Sequence, residues 1–275
     1  MNSEVKIHIN QVRDMTGSTF EITIPVLNEE SALHGNVLAL YDFCMKNFEG
    51  SGQWKIVISD NGSIDRTPEI GNNLASKFEQ IKYIRTDKRG VGLALRKSWE
   101  NTSADIIGSM DLDLSADLRH LTDALSIVSE KGYDLVYGTR LHGDSKVTGR
   151  SLKREIASKA FNFIIRRYLK VSLSDAMSGF TFFNRSLLKD LVAHGATSDG
   201  WFFQAEILIV SEWLGLNVSE LPLEWTDDRN SKVKIFPLML EYLREMRALK
   251  KNYYPGRNRK AYATTDHGIH QSRDT

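Results

Sequence analysis

The segment of this chain best equipped for chemistry is Asp111-Leu112-Asp113. It leaves an apolar run, residues 106–110, that reads as a buried strand. Two carboxylates one residue apart at the carboxyl end of a strand can share a hard divalent cation and the phosphates it carries. In a surface turn the same pair would merely form the turn or cap a helix. Two further polar turns follow β-rich runs, Asn28-Glu29 and Asp60-Asn61-Gly62-Ser63. In Arg89-Gly90-Val91-Gly92, the glycines either let backbone approach a ligand or simply start a helix.

These turns can act together only if the elements before them lie side by side. Strands are expected at 20–27, 54–59, 82–86, 105–110 and 134–139, with helices at 30–48, 66–78, 91–100 and 117–130. This alternation predicts an α/β fold, a mostly parallel sheet with helices on both faces. Such a sheet gathers the turns at the carboxyl ends of its strands, where open α/β sheets bind ligands. There Asp60 could accept the imide N–H of a uracil or the donors of another base. Asp111 and Asp113 could orient a ribose and hold a metal-bound diphosphate.

The second half predicts a long amphipathic helix at 151–170, with Ala157, Ala160, Phe161, Ile164, Ile165 and Tyr168 at helical spacing. Strands at 180–184 and 218–225 flank a helix at 201–214. A last helix at 236–251 sets Phe236, Met239, Leu240, Leu243 and Met246 along one side and Arg244, Arg247 and Lys251 on another. The organisation expected is a leader at 1–19, a catalytic domain at 20–235, a basic amphipathic helix at 236–254 and a disordered tail at 255–275.

A chain of 275 residues buries a substantial core, and a net charge of +1 argues against a nucleic-acid-coating protein. Its single cysteine, Cys44, excludes an intramolecular disulfide and fits a reducing compartment. No apolar run approaches the roughly 18 residues that span a bilayer, and no signal-peptide core is evident. A cytoplasmic protein, free or peripheral on a membrane, is expected.

Eight segments in order carry a resemblance: IPVLNEE (24–30), ISDNGSIDRT (58–67), RGVGLALR (89–96), MDLDLS (110–115), YGTR (137–140), SDAMSGFTFF (174–183), GWFFQAE (200–206) and LPLEWTDDRNSKV (221–233). Together they resemble family 2 glycosyltransferases of the GT-A fold, and within them the polyprenyl- or dolichyl-phosphate glucose and mannose synthase-like branch. The resemblance implies a nucleotide-sugar pocket lined by Pro25, Asn28, Glu29, Asp60, Asn61, Gly90 and Asp111. It implies Mg²⁺ or Mn²⁺ at Asp111 and Asp113, and it implies inversion at the anomeric carbon. Ser115, a weaker ligand, stands where some relatives carry a glutamine metal ligand. Thr181 stands where the family is usually basic. The Ser231-Lys232-Val233 segment looks more like the glucose-transferring branch.

Hexose transfer to a polyprenyl phosphate needs a stabilised leaving diphosphate and cations to position the acceptor, whose oxygen is already anionic. Arg140, Arg150, Arg154, Arg229 and Lys232 are available, and guanidinium forks suit phosphate. Asp113 and Arg140 are expected in catalysis, together with Asp175 and Glu206, which could orient groups or serve as base to a hydroxyl acceptor. Capping for Asp175 and an exposed helix face for Glu206 are the plainer readings. Trp201, Phe202 and Phe203 stack on the sugar or fill the core. The basic amphipathic helices could meet an anionic membrane or a membrane-protein partner. A saccharide or small-molecule acceptor, or a non-catalytic nucleotide-sugar-binding scaffold, remain the alternatives.

Overall fold

A computed structural model describes residues 17–48, 54–227 and 235–255, with side chains from residue 239 onward in the last segment. The expected alternation is present. Strands β1 (Phe20–Val26), β2 (Trp54–Asp60), β3 (Ile81–Arg85) and β4 (Ile106–Ser109) alternate with helices α1 (Leu33–Asn47), α2 (Thr67–Lys77) and α3 (Val91–Glu100). Helix α4 (Arg119–Ser129) leads to β5 (Leu135–Thr139). A short strand β6 (Lys146–Thr148) and the long helix α5 (Leu152–Leu169) precede β7 (Thr181–Asn184). Then come α6 (Leu188–Ala193), α7 (Phe202–Trp213), β8 (Val218–Pro222), β9 (Glu224–Thr226) and α8 (Ile235–Tyr253).

Seven strands form one sheet in the order β3-β2-β1-β4-β7-β5-β8. Side chains alternate across it. Ile22 and Ile24 of β1, Val136 of β5 and Phe182 of β7 join the core beneath α1, α2 and α4. Ile107, Tyr137 and Phe183 enter the second core with α3, α5, α7 and α8. Each face is thus covered by helices, as a largely parallel sheet requires.

Sequence pattern does not reveal that β7 runs antiparallel between β4 and β5, pairing Thr181 with Ser109 and with Tyr137. Because it is reversed, its amino end lies at the carboxyl ends of its neighbours. The loop carrying Asp175 is therefore delivered to the edge where Asp111 and Arg140 emerge. The strand expected at 218–225 is two strands: β8 pairs with β5, while β9 leaves the sheet and pairs with β6. Between them Leu223 packs over Gly138, where an added Cβ would lie 2.5 Å from the leucine Cδ1.

The helical stripes are also redistributed. Helix α5 buries Phe161, Asn162, Ile165 and Leu169 but leaves Leu152, Ile156, Phe163, Ile164 and Tyr168 exposed. Helix α8 buries Tyr242, Met246 and Leu249, and Leu240 faces outward. The leader as far as residue 16 and the tail beyond 255 lie outside the described residues.

At Gly92 an added Cβ would stand 2.2 Å from the Ser198 carbonyl oxygen and 2.5 Å from Phe203 Cβ. Backbone cannot yield there cheaply. Gly92→Ala is expected to lose about 1–3 kcal/mol in urea denaturation, as overpacked cores do. An unchanged midpoint would contradict this close approach.

Candidate functional site

Three strand ends meet as the topology requires. At the end of β1, Asn28 takes the left-handed conformation (φ 54°), which asparagine tolerates. Its N–H donates to Ser63 Oγ at 2.9 Å, and its Oδ1 accepts from Ile64 N–H at 2.8 Å. The Glu29 N–H donates to Thr67 Oγ1 at 2.8 Å, so the β1 and β2 turns are tied together. Asp60 accepts from Ser63 N–H at 2.8 Å and from the Tyr83 hydroxyl at 2.6 Å. It is fully enclosed, so in this geometry it organises its turn and presents no surface to a base. Asn61 Oδ1 accepts the Gly90 N–H, clamping the glycine turn to the β2 end. Gly90 in turn sits against the Asp199 carbonyl, 2.4 Å from where a Cβ would be. Pro25 is half-buried in β1.

Asp111 and Asp113 leave β4 differently. Asp113 is exposed, with one carboxylate oxygen accepting the Ser115 N–H at 3.0 Å. Asp111 is half-buried against Gly179, where an added Cβ would lie 2.8 Å from its Oδ1. Desolvation, reinforced by the charge of Asp113 and opposed by Arg140, pushes the Asp111 carboxyl up to about 6. Ser115 is buried behind this pair. Among the described residues, no three His, Cys, Asp or Glu side chains gather to hold a metal by themselves. Two mutually repelling carboxylates, one of them poorly solvated, fit a divalent cation whose other ligands are phosphate oxygens and water.

On the other side of Asp111 lies a cationic cluster. Arg140, ending β5, grips Asp175 with both forks: Nε to Oδ2 at 2.8 Å and Nη2 to Oδ1 at 3.1 Å. Nη2 also donates to the Met177 carbonyl at 3.1 Å, and the guanidinium lies 5.1 Å above the Trp225 ring. Burial opposes ionisation of Asp175, but the Arg140 charge and hydrogen bonds outweigh it and hold the carboxyl below its usual range. Arg154 approaches Asp227 at 3.5 Å and Arg150 approaches it at 3.9 Å. The Arg150 side chain is 10% exposed, yet its Nε and Nη1 have no hydrogen-bond partner. Burial and the neighbouring Arg140 charge lower its proton affinity.

Glu206 belongs to neither group. It is buried in α7 and accepts from Thr197 N–H (2.8 Å), Ser198 N–H (2.7 Å) and Ser198 Oγ (2.7 Å). Burial raises its carboxyl above the usual range. The expected exposed face for Glu206 is thus corrected, because its oxygens hold the loop that packs on Gly90 and Gly92. Asp175 is likewise no exposed base, since its carboxylate is fully buried and spent on Arg140. Phe202 and Phe203 are core, and Trp201 is partly exposed. Thr181 lies buried in mid-sheet. Arg229 and Lys232 lie outside the described residues.

Three contributors escaped sequence reasoning. Gly179 makes room for Asp111, and Trp225 supports Arg140. Asp227, inside the quoted LPLEWTDDRNSKV motif, closes the arginine cluster. Its acidic type two residues after a tryptophan was the available signal.

The glycosyl transferase family 2 model matches residues 21–192. The chain belongs to that family. Among its curated relatives, the glycosyltransferase AglD of Haloferax volcanii is 29% identical over 220 residues, 80% of this chain and 35% of AglD. The dolichyl-phosphate beta-glucosyltransferase of Saccharomyces cerevisiae is 27% identical over 248 residues, 83% of this chain and 73% of that protein. The chain thus spans about a third of the length of AglD. Among solved structures, a glucosyl-3-phosphoglycerate synthase from Mycobacterium tuberculosis with Mn²⁺, UDP and glucosyl-3-phosphoglycerate superposes with a TM-score of 0.66. It is 18% identical, covering 90% of this chain and 86% of that one, and shows the shared GT-A fold. The matched family 2 span includes both aspartates of the β4 turn, Arg140 and Asp175, and ends before Glu206 and Asp227.

The raised Asp111 carboxyl has a thermodynamic consequence. Between about pH 4, its unfolded value, and about 6, its native one, the native protein holds more protons than the unfolded chain. Metal-free stability contributed by this group therefore falls as pH rises through that window. Asp111→Asn removes the fall, so its melting temperature should gain on the wild type above pH 6 and not below about pH 4. A difference independent of pH would contradict the assignment.

Proposed function

We propose that this family 2 protein moves a hexose from a nucleotide sugar to a polyprenyl phosphate, with inversion, at the cytoplasmic surface of a membrane. The donor nucleoside side is assigned to Pro25, Asn28, Glu29, Asn61 and Gly90, with Asp60 holding the turn beneath them. Asp111 and Asp113, backed by Ser115, would hold Mg²⁺ or Mn²⁺ with the diphosphate. When bound, the metal offsets the charge that grows on the departing diphosphate. The mycobacterial synthase, solved in complex with Mn²⁺ and UDP, is in keeping with this. The names of the yeast and other dolichyl-phosphate beta-glucosyltransferases favour a glucosyl donor and a lipid phosphate.

The observation that carries the acceptor reading is the buried Arg150 guanidinium with donors unused, beside Arg140 and Arg154. A buried cation without hydrogen-bond partners is costly unless an anion belongs there. A phosphate monoester brings that anion and its own ionised nucleophile. It needs orientation and no base, which agrees with Asp175 and Glu206 being occupied. Arg140, held rigid by Asp175, would orient the phosphate from the donor side, with Arg150 and Arg154 on the other. Arg229 and Lys232 are assigned to the same acceptor.

The exposed apolar residues of α5 extend from the same end of the helix as Arg154. Leu152 is 70%, Ile156 59% and Phe163 61% exposed, flanked by Lys153, Lys159 and Arg167. An apolar stripe edged by cations suits an anionic lipid surface. No helix among the described residues is long and apolar enough to cross a membrane.

Asp113→Asn is expected to cut metal-dependent sugar transfer to a polyprenyl phosphate by at least about a hundredfold, the scale of losing one transition-state electrostatic contact. Its circular dichroism should match the wild type. Retention of most activity would contradict the metal assignment. In co-sedimentation, the wild type should pellet with anionic vesicles and the double variant Ile156→Ser, Phe163→Ser should stay in the supernatant. Equal pelleting of both would remove α5 from the membrane contact.

A further inference from the structure

The short strands β6 and β9 have one evident consequence outside the main sheet. Their register pairs Thr148 with Thr226, and the Asp227 N–H donates to the Thr148 carbonyl at 3.0 Å. The chain then turns at Gly149 (φ +75°), where a Cβ would lie 3.1 Å from the Asp227 carbonyl oxygen, and delivers Arg150 directly beside Asp227. The neighbourhood of these two side chains is therefore built by backbone pairing, not left to surface chance.

Asp227 is anchored on one side only. Its Oδ1 accepts the Trp225 indole N–H at 2.7 Å, the same indole that underlies Arg140. Its Oδ2 is buried, has no hydrogen-bond partner, and stands 3.5 Å from Arg154 Nη1 and 3.9 Å from Arg150 Nε. Both the Asp227 and Arg150 side chains are about nine-tenths buried, at 8% and 10% exposure. A pair meant only to neutralise itself would close to hydrogen-bonding distance, as Arg140 and Asp175 do. Here the attraction is felt while the donors on Arg150 stay unspent.

We propose that Asp227 is a built-in counter-carboxylate that sets which anions the arginine cradle accepts, favouring a single phosphate group over a diphosphate. The inference rests on the reading that Arg140, Arg150 and Arg154 receive the acceptor phosphate. Among the described residues, three guanidinium groups face two carboxylates, Asp175 and Asp227, so this part of the cradle has a small surplus of positive charge. One phosphate monoester, at about −1.5 to −2 near pH 7, already more than offsets it and takes up the free Arg150 donors. A diphosphate brings further negative charge against the fixed Asp227 carboxylate, with no further cation of the described cluster to receive it. The residue thereby keeps diphosphates, including that of the donor itself, out of the acceptor position, and leaves the β4 aspartates as their place.

The test is equilibrium binding of geranyl phosphate and geranyl diphosphate to the full-length protein, without donor. It compares the wild type with Asp227→Asn, Asp227→Ser, Asp227→Glu and Arg150→Ala. Asn and Ser both keep an acceptor for the Trp225 indole, and melting curves check that each variant folds. The wild type should prefer the monophosphate. Both neutral variants should bind the diphosphate on the order of tenfold more tightly, the scale of removing one nearby like charge near a protein surface. Asp227→Glu should retain the wild-type preference. Neutral variants that bind the diphosphate no better than the wild type would overturn the role of Asp227 while leaving the cradle standing, provided Arg150→Ala weakens monophosphate binding. If Arg150→Ala binds both probes as the wild type does, the cradle reading itself falls and this inference with it.

Discussion

The buried ion pair between Arg140 and Asp175 is the contact on which the geometry of the site depends. It joins the carboxyl end of β5 to the loop that enters the reversed strand β7, with Asp175 fully buried and Arg140 15% exposed. Removing either partner would strand the other charge, a loss of about 3–5 kcal/mol. The pair tolerates burial because its remaining hydrogen-bonding capacity is met. The Met177 carbonyl serves Arg140, and Asn162 of α5 reaches Asp175 Oδ1 at 3.4 Å while accepting the Ala176 N–H at 2.8 Å. Through that asparagine, the helix with the exposed apolar face is tied to the arginine beside the β4 carboxylates.

Around this satisfied pair stand two unsatisfied charges of opposite sign. Asp111 is pushed toward its neutral form by desolvation and by Asp113, and Arg150 is pushed the same way by burial and by Arg140. Each would be relieved by a ligand of the opposite sign: a cation carrying a diphosphate at one, a phosphate at the other. Departures from local satisfaction concentrated at one edge of an otherwise consistent fold are what functional sites display. The order of the sheet explains the spacing. Insertion of β7 between β4 and β5 separates the aspartates from the arginines by one strand, and Arg140 is the side chain whose charge reaches back to Asp111.

The β-α alternation of the first half was legible because buried strands and amphipathic helices differ in period, and α3 falls at the expected 91–100. The strand-end turns were legible because parallel strands place their carboxyl ends together. What was hidden depends on pairing between distant segments. Nothing local in residues 181–184 marks them as antiparallel. The three-residue strand β6 is too short for its pattern to register. Which side of α5 is buried was hidden, because Ala160, Ile164 and Tyr168 continue the helical spacing of buried Phe161 and Ile165 while facing outward. Residue type identified Asp175 and Glu206 as chemically capable. It did not show that each is enclosed by donors from its own chain. The Asp227 contact with Arg150 exists only because β9 leaves the main sheet to pair with β6.

The proposed acceptor is a lipid phosphate. The most direct test supplies the purified protein with radiolabelled UDP- and GDP-hexoses, Mg²⁺ or Mn²⁺, and a polyprenyl phosphate in competition with free saccharides. Label is then partitioned between organic and aqueous phases. Metal-dependent label is expected in the organic phase, lost when the lipid carries a hydroxyl in place of its phosphate. Transfer to a saccharide with none to the lipid phosphate would contradict it.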